Sequence, residues 1–134
     1  MGIENNEAIL ATTWSDEVVN SIRAWVKDLD PSQQGLFCFV PSLINRKTTI
    51  LLAPSGSKRG WSTDYEISQL REVFIVYLKT FDYEDGSSPI EWIEVGYGEF
   101  GQTVLRGNCE NCYSDEKYYH ADFYTASPND KRGE

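Results

Sequence analysis

Apolar side chains recur at helical spacing over residues 15–29. They fall three or four positions apart and would lie on one face of a helix: Val18, Ile22, Trp25, Val26 and Leu29. Ser15 is a typical N-cap residue, and the two acids that follow it suit the positive end of the helix dipole. The pattern therefore predicts a helix from Ser15 to Leu29, which ends before Pro31.

Two short apolar runs follow this helix, and a proline closes each of them. Gly35–Val40 has no polar interruption, which is typical of a buried strand, and Cys38 lies in its middle. Thr48–Ala53 begins with β-branched residues and predicts a second strand. The segment between them, Pro41–Lys47, is short enough to join them as a hairpin.

A second helix is predicted to begin near Ser62 or Thr63, because Thr63 and Glu66 have the spacing of a capping box. Its apolar face is long: Ile67, Leu70, Phe74, Tyr77, Leu78 and Phe81. Further apolar residues between 73 and 76 widen that face until it nearly encircles the helix. We therefore expect a central helix, although residues 73–78 taken alone would also suit a strand.

From Asp82 onward the pattern changes from helical to extended. Residues 84–89 are typical of a turn-rich loop, and Ile90–Tyr97 predicts a strand. Gly98–Gly101 suggests a hairpin turn before a short strand, Gln102–Arg106. Alternating aromatic and polar residues predict a last strand over Lys117–Thr125.

The predicted element order is α-β-β-α-β-β-β. Strands that follow one another directly favour an antiparallel sheet with the helices on one face. We therefore expect one α+β domain over residues 1–134, with about five strands packed against two helices. Only the polar ends, residues 1–7 and 127–134, are expected to be loose.

Composition narrows the classes of function. Among the 134 residues, 21 acids stand against 12 Lys and Arg, for a formal net charge of −9. Such a surface repels nucleic acid and anionic membranes, so direct binding to either is not expected. No apolar run approaches the roughly 20 residues of a membrane helix, and the N-terminal residues do not resemble a signal peptide. Three cysteines are too few for a disulfide framework, so the cytoplasm is the predicted location.

The charges are unevenly distributed along the chain. Between Asp82 and Asp122 there are ten acids and only two bases, whereas residues 46–59 contain four bases and no acid. Many tyrosine, tryptophan and phenylalanine residues lie within the acidic segment. Acids interleaved with large aromatic rings are typical of a surface that binds a basic protein, because the rings anchor and the charges steer.

These features predict a small acidic inhibitor rather than an enzyme. No catalytic group and no cofactor is predicted, and the closest class is an immunity or antitoxin protein that covers the active site of a basic nuclease-type toxin. Trp92 and Tyr97 are the expected anchors of the interface. The full predicted set is Asp82, Glu84, Asp85, Glu91, Trp92, Glu94, Tyr97 and Glu99.

Two alternatives belong to other classes. Cys109 and Cys112 form a C-x-x-C pair, and His120, the sole histidine, follows eight residues later, so the three could serve a small enzyme or a metal site. The loop over residues 55–60 combines glycines with two bases ahead of a predicted helix, which would suit a phosphate- or nucleotide-sensing module.

Overall fold

The computed structural model describes residues 5–99 and 101–109, which form five strands and three helices. In chain order the elements are β1 (Asn5–Thr13), α1 (Asp16–Lys27), α2 (Pro31–Gln34), β2 (Phe37–Pro41), β3 (Thr48–Leu52), α3 (Ser62–Lys79), β4 (Ile90–Gly98) and β5 (Gly101–Gly107). The predicted α+β class, with a five-stranded antiparallel sheet and two long helices, is confirmed.

The strands form one sheet in the order β2-β3-β1-β4-β5, and every neighbouring pair is antiparallel. Ile9 of β1 lies opposite Leu52 on one side and Glu94 on the other. Four residues later, Thr13 lies opposite Thr48 and Ile90. β1 is therefore the central strand, and the predicted hairpins β2–β3 and β4–β5 flank it.

The central strand was missing from the predicted order, and the expectation of a loose N-terminal end is wrong for Asn5–Glu7. β1 has only one short apolar stretch, Ala8–Ala11, between polar residues. Isolated, such a segment gives a weak strand signal; pairing with β3 and β4 supplies its hydrogen bonds on both edges. The predicted strand Lys117–Thr125 lies outside the described residues.

The core lies between one face of the sheet and the two long helices. The strands contribute six buried apolar residues: Ile9, Ala11, Ile50, Leu52, Ile90 and Trp92. The helices contribute Val18, Ile22 and Val26 from α1 and Ile67, Leu70, Phe74, Ile75 and Leu78 from α3. The strand register places all six strand residues on the same face, so both helices cover that face of the sheet.

Aromatic rings at the margin of the core tie both helices to the β2 edge. Trp25 of α1 stacks on Tyr77 of α3 with ring centroids 4.9 Å apart. Phe37 of β2 meets Phe74 edge to face at 5.2 Å. Such pairs contribute about 0.5–1.5 kcal/mol each beyond the area that they bury.

Three local expectations differ from the structure. β2 is an edge strand with Cys38 and Val40 exposed, so it is not a buried strand. α3 is not encircled, because Val73 and Val76 are exposed while Ile75 between them is buried.

α3 begins at Ser62, one of the two predicted starts, but without the predicted capping box. The N-cap is Trp61, and no side chain caps the helix there. Asp64 instead accepts a hydrogen bond from the Gly60 N–H at 3.1 Å.

No helix within the described part of the chain is long and apolar enough to cross a bilayer.

Candidate protein-binding surface

Three connections meet at one end of the sheet. Because Thr13 lies opposite both Thr48 and Ile90, the β1–α1 turn, the β2–β3 hairpin tip and the α3–β4 loop leave the sheet at the same end. The Thr13 hydroxyl ties two of them together by donating a hydrogen bond to the Pro89 carbonyl at 2.9 Å. We call this region, made of Trp14, residues 42–47 and residues 82–91, the loop end.

The loop end exposes four large apolar or aromatic side chains. Trp14 is 62% exposed, and Leu43, at the hairpin tip, is fully exposed. Ile44 and Tyr83 are also exposed. Isolated surface hydrophobics are common, but several at one end of a molecule are characteristic of an interaction site.

The acidic residues of the α3–β4 loop lie at this same end. Asp82, Glu84 and Asp85 are all exposed. The loop is ordered by its own backbone, since the Tyr83 N–H donates to the Ser87 carbonyl at 2.7 Å and Gly86 adopts a positive φ of 92°.

Asp85 has a fixed orientation within this loop. It accepts hydrogen bonds from the Ser87 hydroxyl at 2.6 Å and from the Ser87 N–H at 2.9 Å. The hydrogen bond from the Ser87 hydroxyl, and after it the hydrogen bond from the Ser87 N–H, lowers the pKa of Asp85 below its ordinary value. The carboxylate is therefore ionised throughout the physiological range.

Glu91 lies at the edge of the loop end, near Lys47 and Trp14. The three residues share a shallow cavity of about 120 Å³ with Thr12 and Pro89. Small-molecule sites usually enclose several times that volume. The chemistry of the loop end is therefore that of a contact surface, not of a ligand pocket.

The hairpin tip presents its apolar side chains from a constrained backbone. The Ser42 N–H donates to the Lys47 carbonyl at 2.8 Å, and the Lys47 N–H donates to the Ser42 hydroxyl at 3.0 Å. Between them, Asn45 and Arg46 adopt positive φ angles of 68° and 54°. A preformed turn of this kind loses little conformational entropy when it is buried by a partner.

Two of the predicted interface residues are wrong. Trp92 is only 4% exposed and belongs to the core, and Glu94 is only 3% exposed. Both follow Ile90 at alternate positions of β4, so they face the helices and no partner could reach them. Trp92 is a core residue, not an exposed anchor.

The other predicted residues do not form one patch. Asp82, Glu84, Asp85 and Glu91 all belong to the loop end, whereas Tyr97 and Glu99 are exposed near the opposite end of β4. Eight residues of extended chain separate Glu91 from Glu99, which is roughly 25 Å. Only the first group can contact one small partner surface.

The exposed side chains at the loop end were outside the predicted interface set. Trp14 comes from the missed strand β1, and Leu43 and Ile44 come from the predicted hairpin connection. Two aliphatic residues within a predicted turn were a usable signal, because burial in the chain's own core is difficult from a hairpin tip.

Two arginines contact Glu94 on the helix side of the sheet. Arg106 Nε donates to it at 2.7 Å, and Arg71 Nε lies 3.6 Å from its other oxygen. Arg71 also donates to Glu7 at 2.7 Å, and Arg106 to Glu72 at 2.8 Å. The hydrogen bond to Glu94 raises the pKa of Arg106. The two guanidinium groups compensate the buried carboxylate.

The alternative site formed by Cys109, Cys112 and His120 is only partly within the described residues. Cys109 is exposed, with its sulfur 3.4 Å from Asn108 Oδ1, whereas Cys112 and His120 lie outside them. Over residues 5–99 and 101–109, no three His, Cys, Asp or Glu side chains are grouped as a metal site requires. The metal-site hypothesis stays a prediction.

In the 55–60 loop, two groups that could bind an anion already contact other groups of the chain. The Gly60 N–H is held by Asp64, and the Lys58 ammonium lies 5.9 Å from the centre of the Trp61 ring. A bound phosphate would lie close to the Asp64 carboxylate, which repels it. The phosphate-sensing hypothesis also stays a prediction, with less chemistry in its favour than the loop end has.

Comparison with known proteins finds no matching family model, curated sequence or solved structure. What the protein binds must therefore be inferred from the chemistry of its own surface.

Proposed function

We propose that this protein is a small acidic inhibitor that binds a basic protein through its loop end. The observation that supports this proposal is that one end of the sheet carries exposed apolar side chains together with four exposed acids, which outnumber the two bases there, Arg46 and Lys47. In this proposal Trp14 and Tyr83 are the anchors, in place of Trp92, which is buried, and Tyr97, which lies near the opposite end of β4. The pairing role belongs to Asp82, Glu84, Asp85 and Glu91.

The physical roles of the two kinds of side chain are different. Large rings supply most of the affinity when a partner desolvates them, while exposed carboxylates accelerate the encounter with a cationic surface. The net charge of −9 extends that attraction beyond contact distance at low ionic strength.

A nuclease-type toxin is the partner class that fits this chemistry best. Its substrate cleft must be cationic to hold phosphates, so a compact polyanion can compete with the substrate there. In this proposal the protein acts in the cytoplasm as an immunity or antitoxin protein. It needs no catalytic group of its own, because covering the cleft is sufficient for inhibition.

The proposal is tested by capture from the source organism with the full chain as bait at about 50 mM salt. We expect one basic partner with nuclease activity, and stoichiometric inhibition of that activity when the purified bait is added to the captured partner. Reversing two loop-end charges, Asp82→Lys with Glu84→Lys, should slow association about tenfold and flatten its salt dependence.

The matched control reverses two exposed acids at the other end of α1, Asp28→Lys with Asp30→Lys. α1 begins at the loop end and its 12 residues carry the chain about 18 Å away. The net charge changes equally in both variants, so only the loop-end pair should slow association. Equal effects of the two variants, a partner that is not basic, or a nuclease that stays active when bound would each reject the proposal.

A further inference from the structure

The face of the sheet opposite the helices carries an unexpected apolar surface. Cross-strand pairing places Cys38, Leu51, Leu10 and Ile93 in one row on this face. A second row contains Ala8, Val95 and Val104. We call these seven residues the open face.

An antiparallel sheet with one solvated face normally shows polar residues on that side. Here the strands carry apolar residues on both sides, as they do in a sheet that is covered twice. Leu10, in the middle of the central strand, is 39% exposed, and Val104 is 62% exposed. Within residues 5–99 and 101–109, α1 and α3 both pack on the opposite side, so neither covers the open face.

We infer that a second copy of this chain covers the open face, so that the protein forms a two-fold symmetric dimer by sheet-to-sheet packing. Two sheets pack well when their twists match, about 10 Å apart. A second copy has the same twist by necessity. A two-fold axis brings the same residues together from both chains.

The dimensions of the sheet allow such an interface. Five strands spaced by about 4.8 Å span about 24 Å, and the rows from Thr12 to Asn6 span about 20 Å. The resulting area is about 480 Å² per chain. Tyr97 and other side chains at the margin add further surface to it. Stable dimers bury about 800 Å² per partner, so we expect a dimer that dissociates at micromolar concentrations.

The charge distribution also suits self-association at this position. None of the seven open-face residues is an acid or a Lys or Arg, so no like charges meet at its centre. Glu91, opposite Thr12 in the outermost row, is an acid at its margin. The long-range repulsion between two chains of net charge −9 opposes dimerisation, and salt screens that repulsion. Salt should therefore strengthen the dimer, although it weakens binding of a basic partner.

The experiment is sedimentation velocity on the full chain from about 5 to about 200 µM, at about 50 and about 500 mM NaCl. A reducing agent prevents Cys38 from forming a disulfide that would mimic association. We expect the dimer fraction to rise with concentration and with salt. Leu10→Glu should raise the dissociation constant at least about tenfold, because each chain would bury an unpaired charge.

Val76→Glu is the matched control, because Val76 is an exposed apolar residue on α3, away from the open face. It should leave the dissociation constant unchanged. If far-UV circular dichroism shows that Leu10→Glu does not fold, Val104→Glu on the edge strand β5 replaces it. A protein that stays monomeric at both salt concentrations would overturn the inference, whether residues 110–134 or another protein covers the face.

Equal weakening of the dimer by the open-face variant and by Val76→Glu would overturn it too. The result is independent of the proposed inhibitor role, since the loop-end variants are judged by association with the basic partner. Failure of one proposal therefore leaves the other standing.

Discussion

At the scale of single residues, Glu94 illustrates how context decides the role of a charge. As one acid in a chain with 21 acids, it is predicted from the sequence to lie on a partner-binding surface. Its position on β4 instead aims it at α3, where Arg71 lies 23 positions earlier in the chain. Nothing local to Glu94 encodes that pairing, so only the packing of α3 on the sheet could reveal it.

A prediction at this scale concerns Arg71, whose side chain is only 5% exposed. Arg71→Met leaves Glu7 without its 2.7 Å partner and Glu94 with one guanidinium instead of two. We expect a loss of about 3 kcal/mol in the free energy of unfolding, measured by urea denaturation. Arg23→Met, which removes an exposed guanidinium that lies over the Phe39 ring, should cost less than about 1 kcal/mol. Equal losses would mean that the buried ion network contributes little.

At the scale of elements, the two long helices show where local signals succeed and where they fail. Ser15 caps α1 as predicted, since it accepts a hydrogen bond from the Val18 N–H. The stripe of apolar residues on α1 also faces the core as expected. α3 begins at Ser62, one of the two predicted starts, but Thr63 does not cap it, because the N-cap is Trp61.

Ser15 and Thr63 allow a paired prediction at this scale. Ser15→Ala removes a side-chain acceptor from the first turn of α1 and should lower the free energy of unfolding by about 1 kcal/mol. Thr63→Ala removes a hydroxyl that caps nothing and should change it by less than about 0.5 kcal/mol. Chemical denaturation of both variants checks the difference. A larger loss for Thr63→Ala would indicate that α3 is capped at that residue after all.

At the scale of the whole molecule, the sheet separates two surfaces of different chemistry. Its loop end combines rings with acids, and its open face is apolar without charge. Both depend on β1, because the central strand aligns the connections at one end and supplies Leu10 to the face. An architecture without that strand would have neither surface.

The placement of the tryptophans is a prediction for the molecule as a whole. Trp14 and Trp61 are exposed, whereas Trp92 is buried. Acrylamide quenching at low protein concentration should therefore find readily quenched emission that Trp14→Phe and Trp61→Phe each reduce. Trp92→Phe should instead raise the quenched fraction, because it removes a protected ring. A fall in the quenched fraction on changing Trp92 would contradict its place in the core.

The sequence by itself determined the α+β class, the two amphipathic helices and both hairpins, because their signals are periodicities and turn residues within one short segment. Only the tertiary structure decided that β1 is central, that Trp92 and Glu94 are buried, and that Trp14 lies beside the acidic loop. Each of these depends on strand pairing between residues dozens of positions apart. Such pairing is selected by the burial of the whole core, which no local pattern in the chain records.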